Sequence, residues 1–443
     1  MVRSDFGERH PLVISCASGL PLFSPSIWLT AHRRTAGLAV GTLANNAQTL
    51  ASVYNWAETR GIRLDERFLM GDFLSGWEVS DLAEYLRAEI RTQSRSSQKV
   101  VRFRSAEPMR EPMLMATVTP PVGNYRLDIA ASFLYWLSTQ TAHRLKNLGK
   151  TVEGETAEKE RDEMASGLRC HKQTAMRRNS LLHRQAPEPE VITRLLEVVK
   201  VDHPDNPWAD PPMLVEKLLD AQAVGKQTEA KRYQTILTAK LAIRLRNKLI
   251  VHLLFHLGLR RGEMLGLKAR DLRGSFLWVL RHPDDPEEIR QNAPNTKTRD
   301  RKLSVNSGLQ IMWLDYVSLV REKFPLARKH PYVIVNHRDG NPLCFPGLAK
   351  IFDDLGRVAG LPKNLTPHHL RHAWNDKFSD LADEQDMDEA REVQIRAELM
   401  GWNPGSPRPT AMAYLRRKTK RRAQDISLQL QEDMMHPKEG NLE

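Results

Sequence analysis

The sequence predicts a mainly α-helical chain of two domains with one small antiparallel β-sheet, an α+β architecture. Three observations predict it. Apolar residues recur at helical spacing through most of the chain. Three short β-prone runs, 275–280, 302–305 and 332–335, stand together in the second half. At 443 residues with 41% hydrophobic content, the chain is longer than one core sustains, so at least two domains are expected.

In chain order, residues 1–40 carry little periodic signal and read as an irregular lead-in. Thr42 then caps a helix with apolar positions Leu43, Leu50, Tyr54 and Ala57, stopped by Gly61. A second helix is expected from Ser80, using Leu82, Tyr85 and Leu86. Arg91, Arg95, Lys99, Arg102 and Arg104 follow, set among serines in a segment too polar to pack. It reads as an exposed basic loop, and a merely solvated role and a phosphate-contacting one both fit it. An amphipathic helix near 127–137 precedes a long charged helical stretch towards His183. The proline-bearing segment 185–190 is the clearest linker, and a fresh apolar run begins at Val191. The expected organisation is therefore a lead-in (1–40), a helical domain (41–184), a second domain (190–422) and a tail (423–443). In the second domain, 203–212 is a proline-rich loop, 236–259 a strong helix, and the signal is helical again beyond 345.

The charge narrows the function. A formal net charge of +12 and a pI of about 9.6 favour a polyanionic partner, nucleic acid or an anionic membrane. The longest apolar stretch, 249–259, is too short to span a bilayer and holds His252 and His256. The N-terminus lacks the apolar core of a signal peptide. Cys16, Cys170 and Cys344 lie far apart without metal-ligand spacing, and read as buried or incidental thiols in a reducing compartment. The reading is a cytoplasmic, nucleoid-associated nucleic-acid binder with no membrane partner.

Four sites in the second half hold chemistry suited to a phosphodiester without a metal: cations around the phosphate, a nucleophile, and a proton donor for the leaving oxygen. The first is GLRRGE at 258–263, where Arg260 follows a helix-breaking glycine and Glu263 is spaced to orient it or Arg261. The second is the polar, basic NTKTRDRK at 295–302, between two strand candidates, where a hairpin lifts Lys297 outward. The third is TPHHLRH at 366–372, in which a helix starting after Pro367 puts His368 and Arg371 on one face. A metal role for His368 has only His369 and His372 as close partners, so no metal or cofactor is expected. The fourth is LMGW at 399–402, a proline-rich loop, and then Tyr414 followed by a basic run that includes Arg416 and Arg417.

Taken in order, these boxes resemble the tyrosine recombinase (phage integrase) family over roughly residues 190–430. The front segment 42–62 resembles, more loosely, that family's helical core-binding domain. The resemblance implies a two-domain, C-shaped clamp around double-stranded DNA. It also implies a role for each matching residue. Arg260 and Arg371 hold the non-bridging oxygens of the scissile phosphate. Lys297 protonates the leaving 5′-oxygen, and His368 assists proton transfer and phosphate binding. Trp402 donates its indole N–H to the phosphate. Tyr414 attacks, leaving a 3′-phosphotyrosine link that conserves the bond energy, so neither ATP nor metal is needed.

Two gaps are longer than the family pattern: Trp402 to Tyr414, and Arg260 to Lys297. Lys302 is the reserve for Lys297 and Arg261 the reserve for Arg260. The implied function is site-specific recombination by a homo-tetramer on two DNA sites, of a mobile element, with an accessory DNA-bending or directionality protein possible. A tail helix using Ile426, Leu430 and Met434 docks on its own domain or on a neighbouring protomer. The rival readings are a type IB topoisomerase and a DNA-binding protein that keeps the fold without cleaving.

Overall fold

Glycine-punctuated apolar helices build the first part of the chain. A computed structural model describes residues 1–5, 7–88, 117–174, 186–294, 296, 298–402, 426–428 and 431. It divides into two compact units, Met1–Leu181 and Leu182–Glu443.

In the first unit, α2 (Val40–Thr59) presents Leu43, Leu50, Val53 and Trp56 to the core and ends just before Gly61, whose φ is 67°. The next helices are α3 (Leu64–Met70) and α4 (Gly76–Arg87). α4 begins four residues before the expected Ser80. The cause is a capping box: Glu78 accepts from the Ser75 backbone N–H at 2.8 Å. The apolar run near 127–137 lies inside α5 (Pro120–Asn147), and the charged stretch forms α6 (Thr151–Cys170), the two separated at Gly149. The first 40 residues are less irregular than their sequence implies. They form a two-stranded ladder of β1 (Val2–Arg3) and β2 (Arg9–His10), a short α1 (Phe23–Ile27) and a π-helical turn, Trp28–Arg34. Val13, Trp28 and Leu29 from this segment are buried in the first core. Isolated apolar residues in a non-periodic stretch hide such packing from a window-based reading.

The second unit is centred on α9 (Gln227–His256), whose C-terminal half buries Leu249, Ile250, Leu253 and Leu254. α7 (Pro189–Val198), α11 (Ser307–Leu319), α12 (Phe345–Leu355) and α13 (Pro367–Glu384) contribute to the same core. α8 (Pro212–Ala223) runs beside the exposed first half of α9. One three-stranded antiparallel sheet lies in the order β3 (Leu272–Arg273), β4 (Phe276–Val279), β5 (Arg301–Ser304). The run at 332–335 is not a strand. It is buried, but its backbone is satisfied piecemeal: Val333 N–H donates to Leu267, Ile334 accepts from Leu343, and Val335 N–H donates to the Tyr316 hydroxyl. A buried apolar run needs its polar backbone paired, and no single neighbouring strand does it here.

The long connection from β4 to β5 is pinned rather than looped out. Lys268, 1% exposed, pairs with Asp285 (2.7 Å) and Glu287 (2.8 Å). Arg290 pairs with Glu288 at 2.6 Å and donates to the carbonyls of Leu265 and Leu343. All three cysteines are free and exposed, so none is the buried thiol that the sequence allowed. Among the described residues no helix is long and apolar enough to cross a membrane.

Candidate active site

Three of the four sequence boxes meet at one buried carboxylate, Glu263. α9 ends at His256, and the chain reverses at Gly258 (φ 56°). A Cβ there would lie 2.8 Å from Met400 Cε and about as close to the Trp374 ring, so only glycine fits the turn. Arg260 then stands just before α10 (Arg261–Gly266), and Glu263 reaches back to accept its backbone N–H at 3.0 Å. Glu263 is 2% exposed.

Around this carboxylate, Oε1 accepts the Thr298 hydroxyl at 2.5 Å and Arg260 Nη1 at 3.3 Å. Oε2 accepts Arg301 Nη2 at 2.7 Å, and Arg371 Nη1 lies 3.9 Å from it. Burial pushes the Glu263 carboxyl up, but the charge and hydrogen bond of Arg301, followed by Arg371 and Thr298, outweigh it and bring the carboxyl down to about 2. One anion thus stands among three guanidinium groups, leaving the cluster cationic.

The other boxes enter from α13 and α14 (Glu389–Met400). Arg371, 2% exposed, donates to the carbonyls of Gly258 and Met400 and so bridges the first box to the fourth. His368, at the exposed N-terminal turn of α13, lies edge-on to His372 with ring centroids 4.3 Å apart. The helix N-terminus adds partial positive charge there. His369 is occupied otherwise, its Nδ1 accepting the Thr366 backbone N–H at 3.1 Å and capping the helix. Among the described residues no group of three or more His, Cys, Asp or Glu side chains is placed to hold a metal ion.

Trp402 is 6% exposed, packed with Met400 and Trp374. Before it, Gly401 takes φ 65°, and a Cβ would sit 2.9 Å from the Arg299 carbonyl oxygen and 3.0 Å from Arg301 Nη1. This close approach lets the strand entering β5 dock: Arg299 N–H donates to Gly401 and Arg299 Nε to the Trp402 carbonyl (3.1 Å).

Arg260, Arg371 and Trp402 are therefore brought to one cluster, with His368 at the helix terminus beside it. Lys297 and Tyr414 lie outside the described residues, as do Arg91, Arg95, Lys99, Arg102, Arg104, Arg416 and Arg417. Neither reserve joins the cluster. Lys302 is on the opposite face of β5 from Arg301, with its Nζ 3.6 Å from the Phe276 ring centroid. Arg261 lies over Phe345. The sequence reading assigned no role to Thr298, Arg299 or Arg301. The alternation puts Arg301 on the same face as apolar Leu303 and Val305, a signal that could have marked it as the inward cation.

Residues 226–394 match the family model described as the phage integrase family. Among curated proteins, the chain is similar to a tyrosine recombinase XerD of Halalkalibacterium halodurans, 28% identical over 130 residues. That match covers 29% of this chain and 39% of the relative, well under two thirds of the relative's length. No solved structure matches the chain.

Proposed function

We propose that the chain, similar through residues 226–394 to the phage integrase family, cuts and rejoins double-stranded DNA through a covalent phosphotyrosine intermediate. The observation that carries this reading is the convergence of Arg260 and Arg371, from boxes over a hundred residues apart, on buried Glu263. A trigonal bipyramidal phosphorus carries its charge on non-bridging oxygens, and two fixed guanidinium groups suit it. Arg260, with a side chain 31% exposed, reaches the phosphate from the rim, while Arg371 sets the floor of the site. His368 at the α13 terminus holds or moves a proton at a phosphate oxygen. Trp402 packs the site and orients its backbone.

Tyr414 is the nucleophile in this proposal and Lys297 the acid for the 5′-oxygen. The tyrosyl oxygen gives its proton to His368 and bonds to phosphorus as the P–O5′ bond breaks and Lys297 protonates O5′; the freed 5′-hydroxyl of the partner strand later reverses the step. Atoms and charge balance without ATP or metal. Arg91, Arg95, Lys99, Arg102 and Arg104 would grip the backbone as part of a clamp, with Arg416 and Arg417 beside the nucleophile. Four protomers on two sites, an accessory DNA-bending or directionality protein and a mobile-element role complete the proposal.

The test is a suicide-substrate assay with DNA flanking the encoding gene. Wild type is expected to form a covalent protein–DNA adduct and Tyr414→Phe none. Absence of any wild-type adduct on such substrates overturns the reading. An adduct with Tyr414→Phe overturns only the nucleophile assignment. Plasmid relaxation without recombinant product redirects the reading to a type IB topoisomerase.

A further inference from the structure

We infer that Arg301, bridged by Thr298, is a positioning residue that holds Glu263 from its buried side and so directs Arg260 to the scissile phosphate; this rests on the function proposed above. Arg301 lies on the core face of β5, and its guanidinium is directed at Glu263 and Thr298. Its role is visible in how Glu263 divides its bonds. The short ones go to the interior: Thr298 at 2.5 Å and Arg301 Nη2 at 2.7 Å, with Arg301 Nη1 also donating to the Thr298 hydroxyl at 3.2 Å. The guanidinium groups proposed to meet phosphate are held more loosely: Arg260 Nη1 donates at 3.3 Å and Arg371 Nη1 stands 3.9 Å away, beyond hydrogen-bond length, while the Arg260 backbone N–H, which carries no charge to the phosphate, donates at 3.0 Å. Charge-assisted hydrogen bonds weaken steeply with length, so Arg301 satisfies most of the carboxylate's demand.

Two consequences follow. The Arg301–Glu263 pair is neutral, which leaves the charge of Arg260 and Arg371 as a surplus for the phosphate. Without Arg301, Glu263 would draw both of those guanidinium groups inward to satisfy itself. The same side chain also couples three boxes, because the strand that carries Arg301 docks on Gly401 through the Arg299 N–H while its guanidinium reaches the 258–263 turn.

The experiment uses the full chain and a suicide duplex on which wild type forms its adduct. The scissile phosphate is either unmodified or carries an Rp or Sp phosphorothioate. DNA dissociation constant, adduct rate constant and adduct amplitude are measured separately. For Arg301→Met, the dissociation constant is expected to stay within about threefold, since phosphate contacts elsewhere dominate affinity. The rate constant is expected to fall roughly 10- to 100-fold, the scale of a small misplacement of a reacting group. The thio effect of one stereoisomer should collapse towards unity, as the contact of Arg260 with that oxygen is lost. Arg301→Lys should restore part of the rate and of the thio effect.

A loss confined to amplitude, with rate constant and thio effects unchanged, means a merely structural role and overturns the inference. If Arg301→Met does not fold, Thr298→Val is read by the same criteria, removing the bridge while keeping the charge pair. A wild-type chain that forms no adduct fails at the earlier step and overturns the function, and this inference with it.

Discussion

At Glu263 a single carboxylate answers to Arg301, Arg260 and Arg371, and its chemistry reaches into stability as well as reactivity. Its carboxyl titrates at about 2 instead of the ordinary 4.5. A folded-state value below the unfolded one adds stability above pH 4.5, and that stability is lost as pH falls towards 2. The shift corresponds to about 3 kcal/mol. Glu263→Gln is expected to be less stable than wild type at pH 7, because it strands Arg301 in the interior. The difference should narrow by about 2.5 kcal/mol between pH 6 and pH 2.5 in urea titrations. A gap that stays constant with pH would show that Glu263 is not the titrating group. The need for an acidic residue after Arg260 was legible in the spacing of GLRRGE. Its partners Thr298 and Arg301 were not, because they arrive from 35 and 38 residues away.

The element that most changes in meaning is the connection between β4 and β5. In sequence it is an overlong gap rich in charge and proline. In the structure Arg290, 8% exposed, reaches Glu288, Leu265 and Leu343, and Lys268 holds Asp285 and Glu287. Breaking one partner of a buried pair costs about 3–5 kcal/mol, since the other charge is left uncompensated. Arg290→Met is therefore expected to lower unfolding stability by that amount, measured as the shift in urea midpoint. A surface-like loss below about 0.5 kcal/mol would mean that the segment is not anchored. Charged residues in a gap read as solvated by default, and only the carbonyls they meet, 25 and 53 residues away, reveal otherwise.

Across the whole molecule, each unit carries its own core. Val13 to Leu168 supply one and Ala186 to Ala373 the other, with no buried residue shared among the described residues. Calorimetry of the full chain is expected to resolve two transitions, and Arg290→Met should move only the one belonging to Leu182–Glu443. A single transition that shifts as a whole would show that the two cores unfold together. The division near 181 lies close to the proline-bearing linker, which composition alone marks. The packing of the first 40 residues was not legible, because Val13, Trp28 and Leu29 form no periodic pattern.

The sequence by itself determined the helices with strong apolar periods, two of the three strands of the small sheet, the basic charge and the order of the boxes around Arg260, Lys297, His368, Arg371, Trp402 and Tyr414. These depend on local spacing, which a linear chain displays in full. Tertiary structure alone decided that Arg301 meets Glu263. A strand turns Arg301 and Lys302 to opposite faces, and Leu303 and Val305 mark the face of Arg301 as the inner one, but only the packing of β5 brings that face to a carboxylate 38 residues away. It also decided why Gly258 and Gly401 must be glycine. Each lies where two distant segments approach more closely than a Cβ allows, a fact of three-dimensional contact that no neighbour in sequence records.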